Sequence, residues 1–196
     1  DALPGLRLAV VGDIMVDRFL WGHCDRISPE APVPVVRLHR ETAKLGGAAN
    51  VAANLHALGV QATLIGLCGE DGVAADLRRL LGDLGLDTAG LVTVGDRPTT
   101  VKTRIIAQNQ QVVRADMEDD RPLTVGIAAD VRERFDALGP FDGVILSDYG
   151  KGLLTDEVLA AIIARARRDQ SPVVVDPKQG DYTQYRGVTS LTPNQR

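Results

Sequence analysis

The sequence predicts an α/β protein of three layers, with a mostly parallel sheet and a small β lid. Three observations predict it. Short runs rich in Val and Leu alternate with helical patterns along the chain, as βαβ units require. Several of those runs end at a carboxylate (Asp13, Asp148, Asp176), so polar groups recur at one edge of the sheet. One stretch, Thr99 to Asp116, alternates instead, as an antiparallel hairpin with one wet face does.

Leu6 to Val11 is apolar apart from Arg7 and ends at Gly12-Asp13, which reads as a buried parallel strand. Trp21 to Pro34 carries three prolines and no clear period, so it reads as loop. Val35, Val36 and Leu38 suggest a short strand. Gly47 to Leu58 has Val51, Leu55 and Leu58 at helical spacing, with alanines between. Ala62 to Leu67 is a second buried strand. Val73 to Leu84 is an amphipathic helix, and Leu91 to Val94 a third strand. Thr99–Ala107 and Gln111–Asp116 form the hairpin about Gln108-Asn109-Gln110. Val125 to Leu138 is a helix, and Gly143 to Leu146 a strand. Thr155 caps a helix reaching Arg168, with Val158 as its N3 residue. Val173 to Val175 and Thr189 to Leu191 are the last strands. The hairpin near 99–116 and the strand near 33–39 are expected to form the lid of one domain that covers residues 1–196.

With 44% hydrophobic and 24% charged residues, the 196-residue chain has the composition of a globular protein. A net charge of -4 argues against non-specific nucleic-acid binding. No apolar run is long enough to span a bilayer, and no signal peptide is visible. Cys24 and Cys68 lack metal-ligand spacing, and the three histidines are scattered, so a zinc site is not expected. Reduced thiols and a cytoplasmic location are the expectation.

In open α/β sheets ligands bind beyond the C-terminal strand ends. Asp13, Asp17, Asp148, Lys151, Asp176, Lys178 and Asn194 fall there. Any one pair could be polar simply because strand ends meet water; together on one edge they suggest a site. Gly46-Gly47-Ala48-Ala49-Asn50 opens a helix. Its glycines could bring backbone N–H groups to a ligand, with Asn50 pairing a sugar hydroxyl, or could serve helix packing alone. It is not a Walker loop, since no Gly-Lys-Ser/Thr follows. Lys102 and Arg104 share a face of the hairpin, which suits either an anionic group or a solvated strand. The acidic run Asp116, Glu118, Asp119 and Asp120 reads as a solvated turn and not a metal site.

Gly12-Asp13 with Asp17, the Gly46–Asn50 run and Thr192-Pro193-Asn194 together resemble the ribokinase-like (phosphofructokinase B) carbohydrate kinases. The chain is still more similar to the heptose 7-phosphate kinases of lipopolysaccharide-core synthesis. That similarity lies in Gly12 to Arg18, Arg26 to Val35, Asn109-Gln110-Gln111, Ser147 to Gly152 and Asp176-Pro177-Lys178. The resemblance implies phosphoryl transfer from ATP, with Mg²⁺, to O1 of D-glycero-D-manno-heptose 7-phosphate. It implies a sugar covered by a β lid that also serves a homodimer. It implies that Asp13, Asp17, Gly46, Gly47 and Asn50 hold sugar hydroxyls, with Lys102 and Arg104 at the 7-phosphate. Asp148, Lys151, Asp176, Lys178 and Asn194 would lie towards the transferred phosphate.

One departure bears on catalysis. The family's catalytic Asp sits in a downstream Gly-Ala-Gly-Asp segment, and these 196 residues contain none. The family's Asn-x-x-Glu element begins at Asn194, and its Glu would fall one residue past Arg196. The expectation is therefore a sugar-binding part that does not turn over alone, its catalytic base lying beyond Arg196. A non-catalytic sugar-phosphate-binding module and a kinase of the same family for another sugar are the alternatives.

Overall fold

The computed structural model describes residues 3–178 and 180–193. Six strands form a parallel sheet: β1 (Arg7–Gly12), β4 (Gln61–Cys68), β5 (Leu91–Thr93), β8 (Gly143–Ser147), β9 (Val173–Asp176) and β10 (Ser190–Leu191). Their order is β10-β9-β8-β1-β4-β5. Four helices accompany it: α1 (Ala48–Ala57), α2 (Gly72–Asp83), α3 (Val125–Leu138) and α4 (Asp156–Arg168).

The period of two in each strand sorts the core into two layers. Val10, Leu64 and Leu91 pack with Ala48, Ala49 and Ala52 of α1 and with Ala74, Leu77 and Leu81 of α2. Their strand neighbours Ala9, Val11, Ile65 and Val92 pack with Val131 and Phe135 of α3 and with Val158, Leu159 and Ile162 of α4. The first two crossovers therefore cover one face and the later two the other. After β5 the chain returns to the far side of β1, so strand order reverses between β1 and β8. That reversal opens a crevice at their C-terminal ends.

A second sheet, β3-β2-β6-β7, stands beyond that edge: β2 (Ile14–Ile27), β3 (Pro34–Gly47), β6 (Val101–Ala107) and β7 (Gln110–Met117). An antiparallel hairpin forms from β6 and β7, but every residue of β7 is exposed where one wet face was expected. Its turn is Gln108-Asn109, both with positive φ (51° and 63°), which matches the twist of the flanking strands. Two further expectations are corrected. Trp21 to Ile27 is strand, and the loop is confined to residues 28–33. The strand near 33–39 runs on to Gly47. The cause is irregular pairing: register shifts at Trp21/Gly22 and Cys24/Arg26 interrupt the alternation.

Candidate functional site

The crevice between β1 and β8 is closed at its floor by Asp13. Its side chain is only 4% exposed. Oδ2 accepts the Tyr149 and Lys151 N–H groups at 2.9 and 3.0 Å, and Oδ1 accepts Leu153 N–H at 3.3 Å. Burial pushes its carboxyl above the usual carboxylate range despite those three donors. Asp13 thus shapes the loop that follows β8, and both its oxygens are committed to that loop. Asp148, at the head of the loop, accepts Gly150 N–H at 2.7 Å and the hydroxyl of buried Tyr185. Burial, then that contact, pushes the Tyr185 hydroxyl far above its ordinary range.

Asp17 lies on β2, where β2 leaves the edge for the lid. Its register partners are Lys44 on β3 and Lys102 on β6, and Lys102 faces Asp116 on β7. A row of alternating charge, Lys44-Asp17-Lys102-Asp116, therefore crosses one face of the lid. In the next row Arg104 stands opposite Phe19, reaches back to Asp17 at 2.5 Å and lies 5.2 Å from the Phe19 ring. Gly46 is the close neighbour that lets Asp17 sit there: a Cβ on Gly46 would fall 2.6 Å from Asp17 Oδ2. Gly47 has φ 55° and ψ -138°, and a Cβ there would collide with the Asp13 carbonyl. Ala48 N–H donates to that same carbonyl at 2.9 Å. Both glycines thus have a packing reason, and Gly46 also borders a carboxylate of the site. Asn50 is exposed in the first turn of α1.

On the far side of the crevice, Asp120, Asp148, Gly150, Lys178 and Asp181 line a cleft of about 390 Å³. The Lys178 ammonium lies over Gly150, where a Cβ would fall 2.5 Å from Nζ. Asp176 ends β9; burial raises its carboxyl, and its charge in turn raises the Tyr149 hydroxyl after burial does. Asn194 lies outside the described residues.

The acidic run is largely exposed, as a solvated turn would be, but three of its four carboxylates are also ion-paired. Asp116 meets Lys102 and Arg114, Glu118 meets Lys102 and Lys151, and Asp119 meets Arg121 and Arg97. Arg121, then Arg97, holds the Asp119 carboxyl at about 2. Arg97 was not anticipated from sequence. It is 9% exposed, donates to the carbonyls of Lys151 and Arg121, and lies 3.8 Å from Asp119. Lys151 is thereby gripped by Asp13 through its N–H and by Arg97 through its carbonyl. Asp96-Arg97-Pro98 reads locally as a polar turn, so no sequence signal marks this role.

Residues 6–196 match the family described as pfkB family carbohydrate kinase. The chain belongs to that family. It is 48% identical over 193 residues to the "Bifunctional protein HldE" of Wolinella succinogenes, covering 96% of this chain and 40% of that protein. It is 50% identical over 192 residues to the HldE of Gluconacetobacter diazotrophicus, covering 97% of this chain and 40% of that one. The chain thus spans about 40% of the length of these curated relatives. Among solved structures, a putative phosphofructokinase from Staphylococcus aureus superposes with a TM-score of 0.72 at 14% identity, over 96% of this chain and 59% of the other. A ribokinase from Arabidopsis thaliana, complexed with ribose and ATP, superposes at 0.65 and 16% identity, over 96% and 60%. The ribokinase-like fold expected from the sequence is the fold observed.

In this pfkB-family chain the expected residues form two groups. Asp17, Gly46, Lys102 and Arg104 gather on the lid, while Asp13, Asp148, Lys151 and Lys178 gather about the loop after β8. Glu118 joins the groups, because it binds Lys102 and Lys151 at once. A larger open groove of about 770 Å³ runs along α4 and the turn at Tyr182–Tyr185, and none of the expected site residues line it. Among the described residues, no helix is long and apolar enough to cross a membrane.

Proposed function

We propose that these residues are the sugar-binding part of a kinase that transfers the γ-phosphate of ATP to O1 of D-glycero-D-manno-heptose 7-phosphate. The observation that carries the reading is the lid face on which Asp17, an acceptor for sugar hydroxyls, adjoins the cations Lys102 and Arg104. A ligand with hydroxyls at one end and an anion at the other fits that order of groups. The near-half identity to the HldE proteins supports the heptose phosphate as that ligand. Asp17 and Gly46 hold hydroxyls, and Lys102 and Arg104 take the 7-phosphate. Asn50 adds a donor and acceptor from α1. Asp13, with no free oxygen, contributes by fixing the loop that carries Asp148 and Lys151. Asp176 and Lys178 face the transferred phosphate. In such a reaction the protein acts chiefly by positioning and charge stabilisation.

Among the described residues, no three His, Cys, Asp or Glu side chains converge as metal ligands. Mg²⁺ in kinases is held by one or two carboxylates together with substrate phosphates and water, so its use with ATP is part of this proposal, and no step through the ion is assigned to these residues. The sequence also holds no Gly-Ala-Gly-Asp segment. The 196 residues alone are therefore expected to show no turnover, and measurable ADP release by them would refute this division of labour. The reading of the substrate is tested on the full-length protein, by ADP release with heptose 7-phosphate against ribose, fructose 6-phosphate and adenosine. Lack of preference for the heptose phosphate would sink it. Arg104→Ala should raise KM for the sugar phosphate about tenfold or more, the worth of one charged hydrogen bond, with kcat little changed. An unaltered KM would mean that Arg104 does not touch the phosphate.

The lid exposes Ile27, Val33, Leu38, Val113 and Met117. Pairing of two copies through the lid, in a soluble cytoplasmic enzyme, is part of this proposal, and the exposed Val113 and Met117 on the edge strand β7 are the residues that would meet the second copy. Light scattering of a lid variant carrying Val113→Lys and Met117→Lys should report monomers.

A further inference from the structure

Glu118 follows directly on β7, where the lid rejoins the main sheet. Its Oε2 accepts from Lys102 Nζ at 3.2 Å, and its Oε1 from Lys151 Nζ at 2.6 Å. One carboxylate thus spans two ammonium groups, one on the lid and one on the loop after β8. The lysine side chains are 16% and 15% exposed, and the glutamate 30%. The cations are more enclosed than the anion between them. Two enclosed ammonium groups converging on one point form a seat for an anion. The chain fills that seat with its own side chain.

We propose that Glu118 is a displaceable internal anion, which holds Lys102 and Lys151 until the anionic group of the substrate takes its place. The proposal rests on the reading that Lys102 faces the substrate phosphate, and it assigns Lys151 to that same anion in place of the transferred phosphate. Lys151, then Lys102, keeps the Glu118 carboxyl below its usual range, so the plug is charged at neutral pH. A phosphate monoester carries a charge of about -1.5 to -2 and three acceptor oxygens. It can satisfy both lysines and outcompete a single carboxylate. A neutral sugar cannot, and leaves Glu118 in place. The exchange needs no large motion. Asp119, the next residue, stays fixed by Arg97 and Arg121, so only the Glu118 side chain has to swing aside. Lys102 meanwhile keeps Asp116 at 3.0 Å and remains oriented. The device favours phosphorylated over free sugar without an added pocket.

The test is binding of inorganic phosphate by calorimetry at constant ionic strength, on the full chain. Glu118→Gln should bind phosphate about fivefold or more tightly than the parent, the equivalent of about 1 kcal/mol for the two ion pairs that no longer compete. Glu118→Ala should do the same, which guards against the amide merely replacing the carboxylate. Lys102→Met or Lys151→Met in the Glu118→Gln background should abolish the gain. Melting curves should coincide within a few degrees, since each single ion pair that Glu118 makes adds at most about 1 kcal/mol to stability. Unchanged or weaker phosphate binding in both Glu118 variants overturns the proposal, as does a gain that survives removal of either lysine. Inorganic phosphate carries no sugar. An error in the substrate reading therefore leaves this result intact, and failure here leaves the sugar preference standing.

Discussion

Asp13→Ala should destabilise the fold by roughly 3 kcal/mol, the lower end of what three enclosed donors without an acceptor cost, one of them buried and two part-buried. Tyr149, Lys151 and Leu153 each lose the partner of a backbone N–H, the first two part-buried and the third buried. For a chain of this size the melting temperature should fall by roughly 6–12 °C. Asp13→Asn should be milder. Its single carbonyl oxygen can keep two of the three donors, while its amide faces the Leu153 N–H. The pH dependence has a definite sign. Burial raises the Asp13 carboxyl in the folded chain above its model-peptide value of 3.8. The linked stabilisation is therefore full below that value and is lost as pH rises through the raised one. The gap between the parent and Asp13→Ala should narrow across that window. Calorimetric melts at several pH values check both claims. A melting point within about 2 °C of the parent would mean that the loop holds itself.

That loop illustrates what was legible in the sequence. Asp13 and Asp148 announced themselves by position, as carboxylates where apolar runs stop, and position is a local property. Thr155 was equally local: its hydroxyl accepts Val158 N–H at 3.3 Å, as the spacing predicts. Helix α3 has the bounds expected of it, Val125–Leu138. Periodicity failed for β2, because a strand exposed outside the main sheet has no strict inward and outward alternation to display, and two register shifts disturb what remains. The partners that complete the site were the least legible. Arg97, Glu118 and Tyr185 act on residues 54, 33 and 37 positions away. Nothing in the neighbouring sequence distinguishes a buried guanidinium that grips two carbonyls from an arginine in a polar turn. Only the crossing of the chain at the β1/β8 crevice brings such groups together.

Gly47→Ala should be the most damaging single methyl group in the lid hinge, costing roughly 3–5 kcal/mol or abolishing folding. Two separate effects add. At φ 55° and ψ -138° an L side chain meets its own backbone, and that strain alone is worth about 1–3 kcal/mol. The new methyl also collides with the Asp13 carbonyl, which accepts the Ala48 N–H and so seats the first turn of α1. Relief requires β3 and α1 to part from β1, and that moves the buried Ala48, Ala49 and Ala52 out of contact with the sheet. Gly46→Ala should behave differently. Its backbone is not in the left-handed region, and its added methyl meets the Asp17 carboxylate and the Met15 side chain. Side chains can turn aside, so the cost in stability should be smaller and should fall on Asp17, the acceptor assigned to sugar hydroxyls. Melting curves with a sugar-phosphate titration separate the two variants. Gly47→Ala should lose the cooperative transition or shift it by roughly 6 °C or more, whereas Gly46→Ala should keep it and lose affinity. The reverse pattern would mean that the paired glycines serve the sugar through Gly47 and the packing through Gly46.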